Sequence, residues 1–336
     1  MGQAVTIQDV AKLAGVSPAT VSRVINGNGV VARHLADRVR AAVDTLDYRP
    51  NAVARSLRRK SAAVWQLIIS DIENPFFTSM VRGVEDVAHA AGCSVVLCNA
   101  DEDLGKERRY IEVALAERMS GVILSPASEE ESEVEPLLRR GIPVVTVDRT
   151  LAERPATVHS VVTDNHRGAQ LATAELLGAG YKSVACITGP LRVTTAQGRL
   201  AGYRSALASA GVRPRPELVR VADYKETGGR DAMLSLLELA DPPEAVFVAN
   251  NRMTIGALAA ARQRSVSIPG DLGLVGFDDM TWSALTCCPL TTIAQPTYDV
   301  GASAARLLLE GPPGPSRPAK TVVLQPTLVV RGSSRR

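Results

Sequence analysis

Two sets of residues in this chain have types and spacings that could do chemistry. The first lies between Thr6 and Asn26, where Pro18, Ala19, Ser22, Arg23 and Asn26 line the outward side of a helical segment with no acidic residue among them. Arg can chelate a guanine, Asn an adenine, and Ala can meet a thymine methyl, so this face has the chemistry to enter a DNA major groove. The second set is spread over the rest of the chain: Asn74, Phe76, Phe77, Asp148, Arg149, Arg199, Asn250, Asp278 and Gln295. Carboxylates accept hydroxyl hydrogens, Arg and Asn donate to hydroxyl oxygens, and phenyl rings cover an apolar ring face. Together they suit a small polyhydroxy ring. No catalytic constellation appears. The chain has no Walker loop, no G-x-S-x-G, no dinucleotide fingerprint in the right context and no metal-ligand spacing, so neither an enzyme nor a metal or cofactor is expected.

The elements needed to position the first set are legible. Thr6 with Asp9 forms a capping-box pattern, and Ile7, Val10, Ala11 and Ala14 recur on one helical face. Gly15 can close that helix in the left-handed conformation. Ser17 is a good N-cap for a second helix with Pro18 at its first position, while Val21, Val24 and Ile25 give its buried side. Thr20 and Ser22 complete the polar face. Two short helices joined by such a turn make a helix-turn-helix. A third helix is expected over 33–47, on Leu35, Val39, Ala42, Val43 and Leu46.

From Ser61 the pattern alternates. Apolar runs at 64–70, 94–99, 121–125, 142–147, 183–187, 245–249, 272–277 and 321–330 read as strands, and 76–91, 106–119, 129–140, 166–177 and 197–210 read as helices. Buried apolar strands between amphipathic helices predict parallel, doubly wound sheets in two successive α/β lobes. Ligands in such sheets bind at the carboxyl ends of strands, and every member of the second set follows a strand.

Composition bounds the reading. The 336 residues carry +3 overall, but residues 1–60 hold ten basic residues against four acidic, +6, leaving −3 for the remainder. A basic head on a mildly acidic body fits a phosphate-binding module joined to something that does not touch nucleic acid. No apolar run reaches the roughly 18 residues that span a bilayer, and no apolar signal region opens the chain, so no membrane association and a cytoplasmic location are expected. Cys93, Cys98, Cys186, Cys287 and Cys288 form no metal-like pair and read as free thiols in a reducing compartment.

Three stretches, DVAKLAGVS, TVSRVIN and YRPNAVARSLR, resemble the lactose/galactose repressor family of bacterial transcription regulators. The resemblance implies that Pro18, Ala19 and Arg23 read bases. It also implies that Asn51 to Arg58, with Ala54, forms a hinge helix on DNA, Leu57 wedging into the minor groove. NPFF, VDR, GRLAGY, GFDD and TTIAQP resemble both this family and ribose-type binding proteins, and Asp164-Asn165 resembles its lobe hinge. The implied organisation is a helix-turn-helix head at 1–48, a hinge at 49–60, one lobe from 61–162 plus about 291–320, and another from 163–290 plus about 321–332. The implied function is a homodimeric repressor on a pseudo-palindromic operator, controlled by a pentose such as ribose or another monosaccharide, with dimerisation through the body and helices such as 76–91 and 106–119. A purine, phosphosugar or protein partner as effector, or a periplasmic sugar-binding role without DNA, are the alternatives. Two departures stand out: Ala32, Leu35 and Ala36 replace the usual Ser cap and Thr-Arg pair, and Asn251 replaces the usual Asp.

Overall fold

The computed structural model describes residues 5–26, 31–46, 48, 64–153, 155–314 and 317–336. The expected hinge segment, with Asn51, Ala54 and Leu57, lies outside them. The chain divides into two compact units, Met1–Ala62 and Ala63–Arg336.

The first unit contains α1 (Ile7–Ala14), α2 (Pro18–Asn26) and α3 (Arg33–Thr45). The capping box forms as expected: Thr6 N donates to Asp9 Oδ2 at 2.8 Å, and Asp9 N donates to Thr6 Oγ1 at 3.4 Å. Gly15 takes φ +62° and closes α1. Ser17 Oγ accepts from Thr20 N at 3.2 Å at the start of α2. Val10, Ala11, Ala14, Val21, Val39 and Ala42 make the small core. No side chain caps α3 at Ala32, consistent with the absent Ser.

The second unit has two six-stranded sheets. In order come β1 (Val64–Ile69), α4 (Pro75–Ala90), β2 (Ser94–Asn99), α5 (Leu104–Ala116), β3 (Gly121–Leu124), α6 (Glu135–Arg139), β4 (Val144–Val147) and β5 (His159–Thr163). Then follow α7 (Asn165–Gly178), β6 (Val184–Thr188), α8 (Thr194–Ser209), β7 (Val219–Val221), α9 (Glu226–Leu237), β8 (Ala245–Val248), α10 (Asn251–Gln263), β9 (Gly273–Phe277) and β10 (Thr291–Ala294). The chain ends with α11 (Thr297–Glu310), β11 (Thr321–Leu324) and β12 (Thr327–Val329). The first sheet runs β11-β5-β4-β3-β1-β2 and the second β12-β10-β9-β8-β6-β7. Every pairing is parallel except β12 against β10.

Three expectations need correction. The lobes exchange segments differently: β10 belongs to the second sheet and β11 to the first, the reverse of the expected assignment of 291–294 and 321–324. The chain crosses between lobes after β5, after β10 and between β11 and β12, so the single strand expected over 321–330 is two short strands in different sheets, separated at Gln325-Pro326. A strand's apolar pattern fixes its existence but not its sheet. Second, the helix expected over 129–140 is confined to Glu135–Arg139, since Pro136 sits at its start and the acid-rich segment before it lacks an apolar stripe. Third, α9, α10, α11 and β7 were not among the expected elements, and neither was β5. Its polar His159 and Ser160 break the apolar run, yet both are buried: Ser160 Oγ pairs with Thr146 Oγ1 at 2.7 Å, and His159 Nδ1 accepts from Lys320 N at 3.0 Å.

Helices α4 and α11 pack across the first sheet so closely that two glycines are obligatory. A Cβ at Gly83 would overlap the Tyr298 carbonyl oxygen, and one at Gly301 would overlap that of Met80. Gly83→Ala should therefore lower stability by about 1–3 kcal/mol through overpacking against backbone. Gly178→Ala, in α7 with open space around it, should be neutral or stabilising by up to about 1 kcal/mol. Urea unfolding of both variants measures the contrast.

Candidate functional site

On the head, Pro18, Ala19 and Arg23 are exposed on one side of α2, opposite the buried Val21. Thr6, Ser17 and Thr20 are engaged in the caps. Ser22 is half-buried beside them, and Asn26 ends the helix. No acidic side chain lies on α2, so the exposed face presents only neutral groups and one guanidinium, as expected from the sequence.

In the body, all nine expected ligand residues line one cavity of about 370 Å³. They arrive from the carboxyl ends of six strands. Asn74 caps α4 after β1, its Oδ1 accepting from Phe76 N at 3.1 Å. That turn holds Phe76 and Phe77 edge to face, with centroids 5.0 Å apart. Asp148 and Arg149 follow β4, Asp148 at φ +66°. Asn250 caps α10 after β8, accepting from Met253 N at 2.9 Å and donating to Tyr224 O at 3.0 Å. Asp278 follows β9 at φ +74°. It accepts from Gln295 Nε2 at 2.6 Å and from Asn251 N at 3.2 Å.

Arg199, on α8 after β6, is buried and tightly held. Its Nε donates to Asn165 Oδ1 at 2.8 Å and its Nη1 to Ala249 O at 2.5 Å. The guanidinium carbon lies 3.9 Å from the Phe277 ring centre and 5.9 Å from that of Tyr224. Asn165, expected at a hinge, thus supports the cavity wall. Arg149 is held by Glu102 through two bonds of 2.7 Å each.

Sequence reasoning missed Tyr224, Thr195, Glu102, Asp101 and Lys225, all of which line the cavity. Tyr224 Oη pairs with Thr195 Oγ1 at 3.2 Å, and its ring lies where a Cβ at Gly189 would be. The strand-end rule would have found it, but β7 is only three residues long and half exposed. Asp101 and Glu102 follow β2 by the same rule.

The two lobes touch directly around the cavity. Asn251 Nδ2 donates to Asn74 Oδ1 at 2.8 Å, Arg252 Nη1 lies 3.0 Å from Glu73 Oε2, and Thr194 N donates to Glu129 Oε1 at 2.8 Å. Asn251, at the position expected to carry Asp, thereby serves as an inter-lobe donor. It could not do so as a carboxylate.

Burial raises the pKa of Asp148 to about 6, against the pull of Arg149 and Arg199 and with Glu102 and Asp278 adding to the rise. Burial likewise raises Asp278, opposed by Arg199, Gln295 and Asn251 N. For Asp148 the folded pKa lies above the ordinary 3.8. Its favourable contribution is therefore present at low pH and is lost as pH rises from about 3.8 through about 6. At about 1.4 kcal/mol per unit, Asp148→Asn should raise ligand-free stability at pH 7.5 by on the order of 1–3 kcal/mol and flatten its decline between pH 4 and 6. Chemical unfolding across that range checks both.

Comparison with known proteins is consistent in every part of the chain. Residues 6–51 match the family model described as bacterial regulatory proteins, lacI family, and residues 173–334 match a periplasmic binding protein-like domain. The ribose operon repressor of Halalkalibacterium halodurans is 39% identical over 91% of this chain and 89% of its own length. The ribose operon repressor of Escherichia coli is 35% identical over 98% of this chain and 99% of its own. The solved lac repressor dimer, bound to operator and an anti-inducer, aligns with a TM-score of 0.86 at 27% identity, covering 99% of this chain and all of that one.

Proposed function

The chain belongs to the lacI family of bacterial regulatory proteins, DNA-binding regulators with small-molecule effectors, and within that family we propose that its effector is a pentose, ribose or a near relative. The observation that carries this reading is the convergence of nine side chains from six strand ends on one cavity. The two acids among those nine, Asp148 and Asp278, would accept hydroxyl hydrogens. Arg199, Asn250 and Gln295 flank them, and Phe76 and Phe77 offer apolar faces to a sugar ring. The names of the two ribose operon repressors point the same way.

DNA recognition in this reading rests on Pro18, Ala19, Ser22, Arg23 and Asn26, with Thr6, Ser17 and Thr20 holding the helices that present them. Hinge residues Asn51, Ala54 and Leu57 would complete the contact on a pseudo-palindromic operator. The ligand acts only through different affinity for two states. Bridging Asp148 on one lobe and Asp278 on the other, it would bias the inter-lobe contacts of Asn251, Arg252 and Glu129, and so the spacing of two hinge segments.

That mechanism requires a homodimer. Val96 and Leu97 on edge strand β2 and Val113 on neighbouring α5 are 41%, 38% and 40% exposed, an apolar group that a second copy would cover. Sedimentation should give a dimer for the native protein and a monomer for Val96→Glu; an unchanged dimer would move the interface elsewhere.

Duplexes selected from a random palindromic library, followed by anisotropy titration with and without ribose, test the function itself. Ribose at about a hundred times its dissociation constant should add roughly 2.7 kcal/mol of stability and shift operator affinity. Arg199→Ala should abolish both responses while the selected duplex still binds. Retention of the ribose response in that variant would remove Arg199 from the site.

A further inference from the structure

The cavity holds more negative than positive side chains. Asp71, Asp101, Glu102, Asp148, Asp223 and Asp278 line it, against Arg149, Arg192, Arg199 and Lys225. The two buried guanidinium groups are largely occupied by the protein. Arg199 spends Nε and Nη1 on Asn165 and Ala249 and lies against the Phe277 ring. Arg149, whose side chain is only 5% exposed, is the group best placed to fork onto an anion, because a guanidinium presents two parallel donors that match carboxylate or phosphate geometry. Glu102 takes both of those donors at 2.7 Å, and Pro126 O takes a third bond from Nη1 at 3.1 Å.

Glu102 reaches Arg149 from an unusual backbone. Asp101 and Glu102 stand at φ +57° and +56° in succession, a region side-chain-bearing residues disfavour. Glu102 N donates to Ser70 O at 3.1 Å, which fixes that turn to the end of β1. The turn delivers an acid to a cavity wall where a neutral residue would leave a free guanidinium. Two donors remain on Arg149, Nε–H and the second Nη2–H; Nε is buried without a hydrogen bond and faces Asp148 Oδ2 at 3.8 Å, so the guanidinium's other edge is turned toward a second acid.

We propose that Glu102 sets the charge the cleft accepts: by occupying the fork of Arg149 it restricts the effector to uncharged polyhydroxy compounds and excludes the corresponding sugar acids and phosphate esters. This deepens the pentose reading and rests on it. An anionic ligand would meet Asp148, Asp278 and Glu102, with Glu102 on one edge of Arg149 and Asp148 beside the other. Neutralising Glu102 frees that edge of Arg149 and weakens the preference.

The test is calorimetric titration of the full chain at pH 7.5 with ribose, ribonate and ribose 5-phosphate. The wild-type protein should bind ribose at least a hundredfold more tightly than either anion. In Glu102→Gln the ratio of anion to ribose affinity should rise at least tenfold, while Glu102→Asp, which keeps the charge, should retain wild-type selectivity. Wild-type binding of either anion as tightly as ribose overturns the proposal without any variant, so a misfolded Glu102→Gln does not shelter it. Ribose binding with unchanged selectivity in Glu102→Gln overturns the proposal alone. A wild-type protein that takes none of the three overturns the pentose reading and this proposal with it.

Discussion

The cleft depends on how Arg199 is held. Its guanidinium joins three places that are far apart in sequence: Asn165 where the chain first enters the second lobe, Ala249 at the end of β8, and Phe277 at the end of β9. A buried cation of this kind is costly unless its donors are satisfied and a counter-charge is near. Here two carbonyl-type oxygens take Nε and Nη1, and Asp148 and Asp278 feel its field from either side of the cavity. The same cation keeps both acids from rising further. Geometry at the strand ends, and the charge balance across the lobes, follow from that one side chain being fixed.

Much of this was legible in the sequence, for identifiable reasons. The head announces itself through local chemistry: Thr6 with Asp9, Gly15 and Ser17-Pro18 each act within a turn of the residues they cap. The nine cavity residues were legible because the rule that ligands sit beyond strand carboxyl ends needs only the strand, and most strands here are apolar enough to read. Failures occur where information is not local. The Val219–Val221 strand is too short to read, so Tyr224 was lost with it. The buried polar strand His159–Thr163 relies on partners at Thr146 and Lys320. Sheet membership of 291–294 and 321–324 depends on pairing partners more than a hundred residues away for the latter, which no local pattern encodes.

The cleft also carries a cost that the rest of the fold tolerates. Asp148 and Asp278 both sit in positive-φ backbone, Asp278 buried and Asp148 largely so, and desolvation raises the pKa of both. Asp101 and Glu102 repeat the backbone pattern on the first lobe's wall, beside Asp148 and Arg149. Such positions persist where the surrounding structure over-determines them and are common at binding sites. The large cores under each sheet, from Leu67 and Ile123 in one to Phe247 and Val275 in the other, supply the stability against which this local strain is set.

The triple crossing between lobes has a bearing on how the chain is made. Helix α11 contributes Leu307 and Leu308 to the core of the first sheet, and β11 pairs along β5 at its edge. During synthesis, the first lobe therefore stays uncovered on one face until residues 297–324 have left the ribosome, by which time all but one strand of the second sheet is already available. The lobes cannot be completed one after the other in the usual vectorial order. They mature together, and the face of β3, β4 and β5 that α11 will cover is the surface a chaperone would have to protect.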